Sequence, residues 1–117
     1  AVGKYNLQKS AFIIKQSKIV YTHDTGMMHI AAAFNKIVFS VWGNTVPVFG
    51  MYPYYGKHFL YKQKELPYKI FEVSGLSCRP CSKLGYNKCP NRHFKCMNEQ
   101  DISDIVTSVI KLLYVIF

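Results

Sequence analysis

One short stretch, Thr22-His23-Asp24-Thr25-Gly26-Met27-Met28-His29, brings a carboxylate, two hydroxyls and two imidazoles onto eight consecutive positions. Asp24 is the only acidic residue among the first 64. Gly26 lets the backbone turn tightly and approach a ligand closely. If a helix begins at this glycine, Thr25 and the amides of Gly26, Met27 and Met28 can hold a phosphate oxygen at its positive end. His29, one turn in, can donate to the same group. Asp24 would not hold a phosphate; it suits accepting backbone N–H bonds that shape the loop, or binding a hydroxyl. A plainer reading of the same residues has Asp24 and Thr25 capping the helix and His29 satisfied within the core.

A second cluster lies near the other end. Cys78, Cys81, Cys89 and Cys96 fall within 19 residues, and His93 stands three positions before Cys96. Cys78 and Cys81 form a C-x2-C pair, so the four thiols can be read as a tetrahedral zinc site. The reading preferred here is reduced cysteines in a folded loop, with no metal. No base is placed to make one of them a nucleophile, although Arg79, Lys83, Lys88, Arg92 and Lys95 supply positive charge and no acid accompanies them.

The elements that must position these groups are legible from periodicity. Asn6 is a helix cap, and Leu7, Ala11 and Ile14 predict a core-facing stripe on a helix over 7–17. Residues 19–22 are short, β-branched and apolar, a strand pattern. After the turn at 23–26, residues 27–34 predict a mostly buried helix that ends at Asn35, a residue tolerant of left-handed backbone. Residues 37–42 are almost continuously apolar, the pattern of a parallel strand covered on both faces. A βαβ unit follows, with both candidate loops at the carboxyl edge of its sheet.

Gly43-Asn44-Thr45 opens the second of those loops, which continues to Gly56 with three glycines, two prolines and three tyrosines. Loops of this length tend to carry function, and this one is expected beside Asp24. Residues 68–73 predict another strand. The last helix begins at Asp101, and Ile102, Ile105, Val106, Val109, Ile110 and Leu113 mark its apolar stripe.

Composition bounds the rest. A chain of 117 residues supports one domain at most. Half its residues are hydrophobic, which argues against disorder. Its net charge of +9, from 15 Lys+Arg against 6 Asp+Glu, favours an anionic partner: nucleic acid, an acidic membrane surface or a phosphorylated ligand. No run reaches the roughly 18 apolar residues of a transmembrane helix. The chain opens at Ala1 with no initiator methionine and no leader, as expected of a piece of a longer protein. Tyrosines interleaved with lysines would suit single-stranded nucleic acid, but no nucleic-acid motif accompanies them, and that partner is not favoured.

The stretch from Thr22 to Ala33 resembles the signature of the family 9 glycosyltransferases, the heptosyltransferases of lipopolysaccharide core assembly. Trp42-Gly43-Asn44-Thr45-Val46-Pro47 through Gly56 resembles the family's loop after the next strand. Cys78-Arg79-Pro80-Cys81, Cys89-Pro90, His93 and Cys96-Met97 resemble its cysteine-bearing stretch. The resemblance implies an α/β fold: a partial Rossmann-like carboxyl-terminal, donor-binding domain of a GT-B enzyme, here residues 1–117, with a cysteine-containing loop and a closing helix. The amino-terminal acceptor domain, which supplies the catalytic aspartate, would then lie outside this chain, so no catalytic residue is expected here and the chain alone should not transfer sugar.

The same resemblance puts Asp24, Thr25, Gly26, Met27, Met28 and His29 against the donor diphosphate, with Gly43, Asn44 and Thr45 as a further donor loop. It implies a nucleotide-sugar donor such as ADP-heptose, an anionic lipid-linked glycan acceptor, chemistry without a metal cofactor, and work at the inner face of the cytoplasmic membrane by peripheral association. The alternative from the residues alone is a small basic zinc-stabilised nucleic-acid-binding module.

Overall fold

The computed structural model describes residues 3–56 and 68–116. Part of the lysine–tyrosine interleaving lies at 57–67, outside the described residues, as do the side chains of the last three positions.

Helix α1 (Leu7–Gln16) starts where the Asn6 side chain accepts the amide of Lys9 at 3.0 Å, satisfying one of the amides that a helix start leaves without a partner. Strand β1 (Ile19–His23) leads to helix α2 (Gly26–Ala33), so α2 starts one residue earlier than its apolar pattern predicts and includes Gly26. It ends at Asn35, whose φ of 55° is the left-handed value expected there. Asn35 N–H donates to Ala32 and Lys36 N–H to Ala31, the paired bonds of a Schellman motif. Strand β2 (Ile37–Trp42) follows with the predicted limits. Beyond it, the long loop contains one 3-10 turn, Pro47–Phe49, and no strand among its described residues.

Strand β3 (Tyr68–Glu72) completes a three-stranded parallel sheet ordered β1-β2-β3. His23 pairs with Val41 and Trp42 with Glu72, which brings all three strand ends to one edge. Helix α3 (Lys95–Asn98) is a single turn, and α4 (Ile102–Ile116) closes the chain. Asp101 Oδ1 accepts the Asp104 amide at 2.9 Å, so Asp101 caps α4 as its position suggests.

The alternation of β2 divides the core in two. Val38 and Trp42 face Ile14, Met28, Ala31, Ala32 and Tyr55, on the side of α1 and α2. Phe39 and Val41 face Phe71 and Ile105, on the side of α4, with Phe39 and Phe71 packed edge to face at 5.7 Å between ring centres. Ser40 is fully buried, and its hydroxyl accepts the indole N–H of Trp42 at 2.9 Å. A buried polar atom thereby keeps its hydrogen bond.

Two predicted stripes are corrected. Leu7 is 62% exposed, and the inward face of α1 is carried by Ile14 and Ala11. On α4 the face against the sheet is Ile105, Val109 and Leu112, spaced i, i+4, i+7. Ile102, Val106, Ile110 and Leu113 lie on the exposed side. Among the described residues no helix is long and apolar enough to cross a membrane.

Candidate functional site

The site is built at the carboxyl edge of the sheet, where the segments leaving β1, β2 and β3 meet. A cleft of about 280 Å³ opens there. His23 and Asp24 line it from the β1 side, and Gly43, Asn44 and Thr45 from the β2 side. Leu84, Tyr86, Asn87, Phe94 and Met97, all from the cysteine-bearing segment, form the remaining wall. The two loops expected to be neighbours are neighbours: the Thr45 hydroxyl donates to Asp24 Oδ2 at 3.0 Å.

The six residues of the turn divide by environment. Asp24 is half-buried and held by Thr45. Thr25 occupies the cap position with extended backbone, and its side chain makes no cap bond to the helix amides. Instead its hydroxyl lies 3.3 Å from that of Thr22. The N–H groups of Gly26 and Met27 therefore head the helix, where no intrahelical carbonyl is within reach. Met28 N–H donates back to the Thr25 carbonyl at 3.1 Å, and the Met28 side chain is fully buried in the core. His29 is exposed rather than a core histidine. It stands four residues after Thr25, hence on the same face of the helix start. Thr25, Gly26 and His29 lie beside the cleft rather than in its lining.

Asn44 is committed to the wall. Its amide donates to the Tyr86 carbonyl at 2.9 Å, and its own carbonyl accepts from Cys81 N–H at 3.1 Å. Gly43 lies against Met97: a Cβ there would stand 2.8 Å from the Met97 sulfur. Gln100 donates from Nε2 to both the Trp42 and Cys96 carbonyls, tying the end of β2 to α3.

Sequence reasoning missed the residue that assembles this edge. Arg79 donates from Nε to the Gly43 carbonyl at 2.6 Å and from Nη2 to the Thr45 carbonyl at 2.9 Å. Its Nη2 also pairs with Glu72 Oε2 at 2.6 Å, and Nη1 reaches the Val73 carbonyl at 3.4 Å. The side chain is only 7% exposed. The available signal is the arginine between Cys78 and Pro80, one of five basic residues in the cysteine-bearing stretch, and nothing in its residue type sets it apart from the others.

The four cysteines are unpaired. Among the described residues no three His, Cys, Asp or Glu side chains are arranged to hold a metal ion. Cys78 Sγ lies 3.9 Å from His93 Nε2, and His93 Nδ1 accepts the Lys95 amide at 3.1 Å. The Phe94 amide donates to Cys89 Sγ at 3.4 Å and holds that thiol below its usual pKa. Burial, and then the neighbouring thiols, push Cys81 and Cys96 up.

The arrangement can offer backbone N–H groups and an imidazole to an anion at the α2 start, beside a cleft with mixed polar and aromatic walls. A stretch of 45 residues is 42% identical to lipooligosaccharide heptosyltransferase 2 of Haemophilus influenzae, covering 38% of this chain and 13% of that protein. The match thus spans a small part of the relative's length. No solved structure matches the chain. Residues 1–69 match the model of glycosyltransferase family 9 (heptosyltransferase), a span that takes in β1, the Asp24 turn, α2, β2 and the loop after it and ends before the cysteines. With more than half its length inside that match, the chain belongs to glycosyltransferase family 9, the heptosyltransferase family.

Proposed function

We propose that this chain is the donor-binding part of a heptosyltransferase-like enzyme that moves a sugar from a nucleoside-diphosphate carrier to a lipopolysaccharide-core or related surface-glycan acceptor. The observation that carries the reading is the helix start at Gly26: its cap residue Thr25 makes no side-chain bond to the helix amides, and exposed His29 stands on the same face. A diphosphate seated there would take N–H bonds from Gly26 and Met27 and a proton-bearing contact from His29. As the bond to the sugar breaks, negative charge grows on the departing diphosphate, and the same groups bind it more tightly than they bind the intact donor. Family membership and the relative named for lipooligosaccharide heptosyl transfer support this substrate class.

In this reading the residues have distinct roles. Gly26 and Met27 bind through the backbone, His29 assists, and Asp24, held by Thr45, shapes the turn. Met28 contributes a packed side chain behind the turn rather than a contact in front of it. Gly43 and Thr45 face the cleft where the sugar would lie. The acceptor and the catalytic base belong to the other half of a GT-B enzyme, so the chain by itself binds donor without transferring sugar. The net charge of +9 suits both a diphosphate and an anionic lipid-linked acceptor at a membrane face.

Calorimetric titration with ADP, and with a nucleotide sugar, tests the reading. Saturable binding weakened about tenfold by His29→Ala is expected, since it removes a contact on the order of 1.4 kcal/mol, and weakened also by Asp24→Ala, which frees the turn from Thr45 and so misplaces the helix amides. Binding that is absent, or indifferent to both substitutions, would overturn it.

A further inference from the structure

We infer that Arg79 is a positioning residue for the donor turn, acting through Thr45 on Asp24, and this rests on the donor reading above. Arg79 lies beyond the residues that match the family model. Its guanidinium has five N–H donors, and the four bonds given above occupy four of them with groups of the protein. Glu72 neutralises its charge at 2.6 Å, and the side chain is nearly enclosed. Arg79 is therefore unsuited to gripping a diphosphate itself, and its action is geometric.

The geometry runs through one residue. Thr45 accepts from Arg79 at its backbone carbonyl and donates from its hydroxyl to Asp24, with 2.9 and 3.0 Å for the two bonds. Gly43, two positions earlier, is held by the same guanidinium. Arg79 thus fixes the path of the segment 43–45, and that path fixes where the Thr45 hydroxyl meets the Asp24 carboxylate. The Asp24 carboxylate stands immediately before the helix start proposed to take the diphosphate. A planar fork can hold two carbonyls and a carboxylate at once; an ammonium on a flexible stem cannot hold the same set in one plane.

The test is a double-mutant cycle on the full-length protein, reading the dissociation constant of the tightest of ADP, GDP and UDP well below each variant's melting temperature. Arg79→Met and Thr45→Val are each expected to weaken binding about tenfold, and the double variant by no more than the worse single one, because both break the same chain of contacts. Arg79→Lys keeps the charge and the fold but is expected to weaken binding several-fold, which separates geometry from charge. A variant that lost only stability would melt earlier and bind unchanged while folded. Unchanged affinity in folded Arg79→Met, effects that multiply, or full affinity in Arg79→Lys would each overturn the proposal. If folded wild-type protein bound none of the three nucleotides, the donor reading would fall and this proposal with it; wild-type binding that was indifferent to Arg79 would remove this proposal alone.

Discussion

Thr45 donates its hydroxyl proton to Asp24 Oδ2 across 3.0 Å, and this bond joins the loop after β2 to the turn after β1. Thr45 is buried and Asp24 half-buried, so neither group is freely hydrated. Asp24→Ala would strand the Thr45 hydroxyl, at a cost of about 1–3 kcal/mol. Asp24→Asn retains an oxygen acceptor, and its loss should be well under half of that. Urea unfolding of the two variants checks the order, and an equal loss in both would mean that the bond adds little.

Arg79 and Glu72 form an ion pair of unequal members. The arginine is 7% exposed and the carboxylate 37%. Glu72→Gln should cost about 1 kcal/mol or less, because water already screens that end of the pair. Arg79→Met leaves the Gly43 and Thr45 carbonyls without their donor and should cost about 3 kcal/mol. Unfolding midpoints of the two single variants give the comparison.

Two glycines near the cleft differ in what a methyl group would meet. At Gly43 the obstacle is the Met97 sulfur at 2.8 Å, at the flexible end of a side chain, so Gly43→Ala should cost about 1 kcal/mol and be relieved by Met97→Ala. At Gly85 the backbone has a φ of +81° and the Asn44 amide stands 2.6 Å away. Gly85→Ala should cost more, about 2–3 kcal/mol, from left-handed strain added to a displaced Asn44–Tyr86 bond.

On α4, Ile105→Ala opens a cavity between the helix and Phe39, Val41 and Phe71, and should cost about 2–4 kcal/mol. Ile102 is 64% exposed, and Ile102→Ala should stay within about 0.5 kcal/mol. Thermal denaturation of this pair tests which face of the helix is buried.

The cysteines should differ in reactivity. A thiol with lowered pKa is more fully ionised at a given pH, and the thiolate is the nucleophile. Cys89, held down by the Phe94 amide, should therefore alkylate first near neutral pH, and buried Cys96, pushed up by its burial, last. Raising the pH narrows the difference as the other thiols ionise. Peptide mass spectrometry after limited iodoacetamide treatment gives the order.

Much of the fold was legible because local signals and packing agree. β2 reads as a continuously apolar strand and is buried on both faces, and the Asn6 cap, the Asn35 terminus and the Asp101 cap all sit where their backbone preferences put them. The α4 stripe was harder. Apolar residues cover more than one face of that helix, and periodicity alone does not say which face meets the sheet. Family pattern and helix-start chemistry both pointed to the Asp24 turn, and the structure adds that Thr45 holds it. Arg79 was illegible for a different reason. The two partners that tie it to the cleft lie 34 and 36 residues earlier and are backbone carbonyls, which leave no trace in residue type.

Those separations bear on how the cleft comes into being during synthesis. The Asp24 turn can form once β1, α2 and β2 have met, but its far wall depends on a guanidinium translated some 34 residues after Thr45. Closing so long a stretch of chain carries an entropic cost that local turns avoid. A chain cut between those two positions would keep the Asp24 turn and lose the residues from Leu84 to Met97 that enclose the cleft. The cleft is thus assembled from both ends of the chain, its far wall coming from residues that follow Arg79 in sequence.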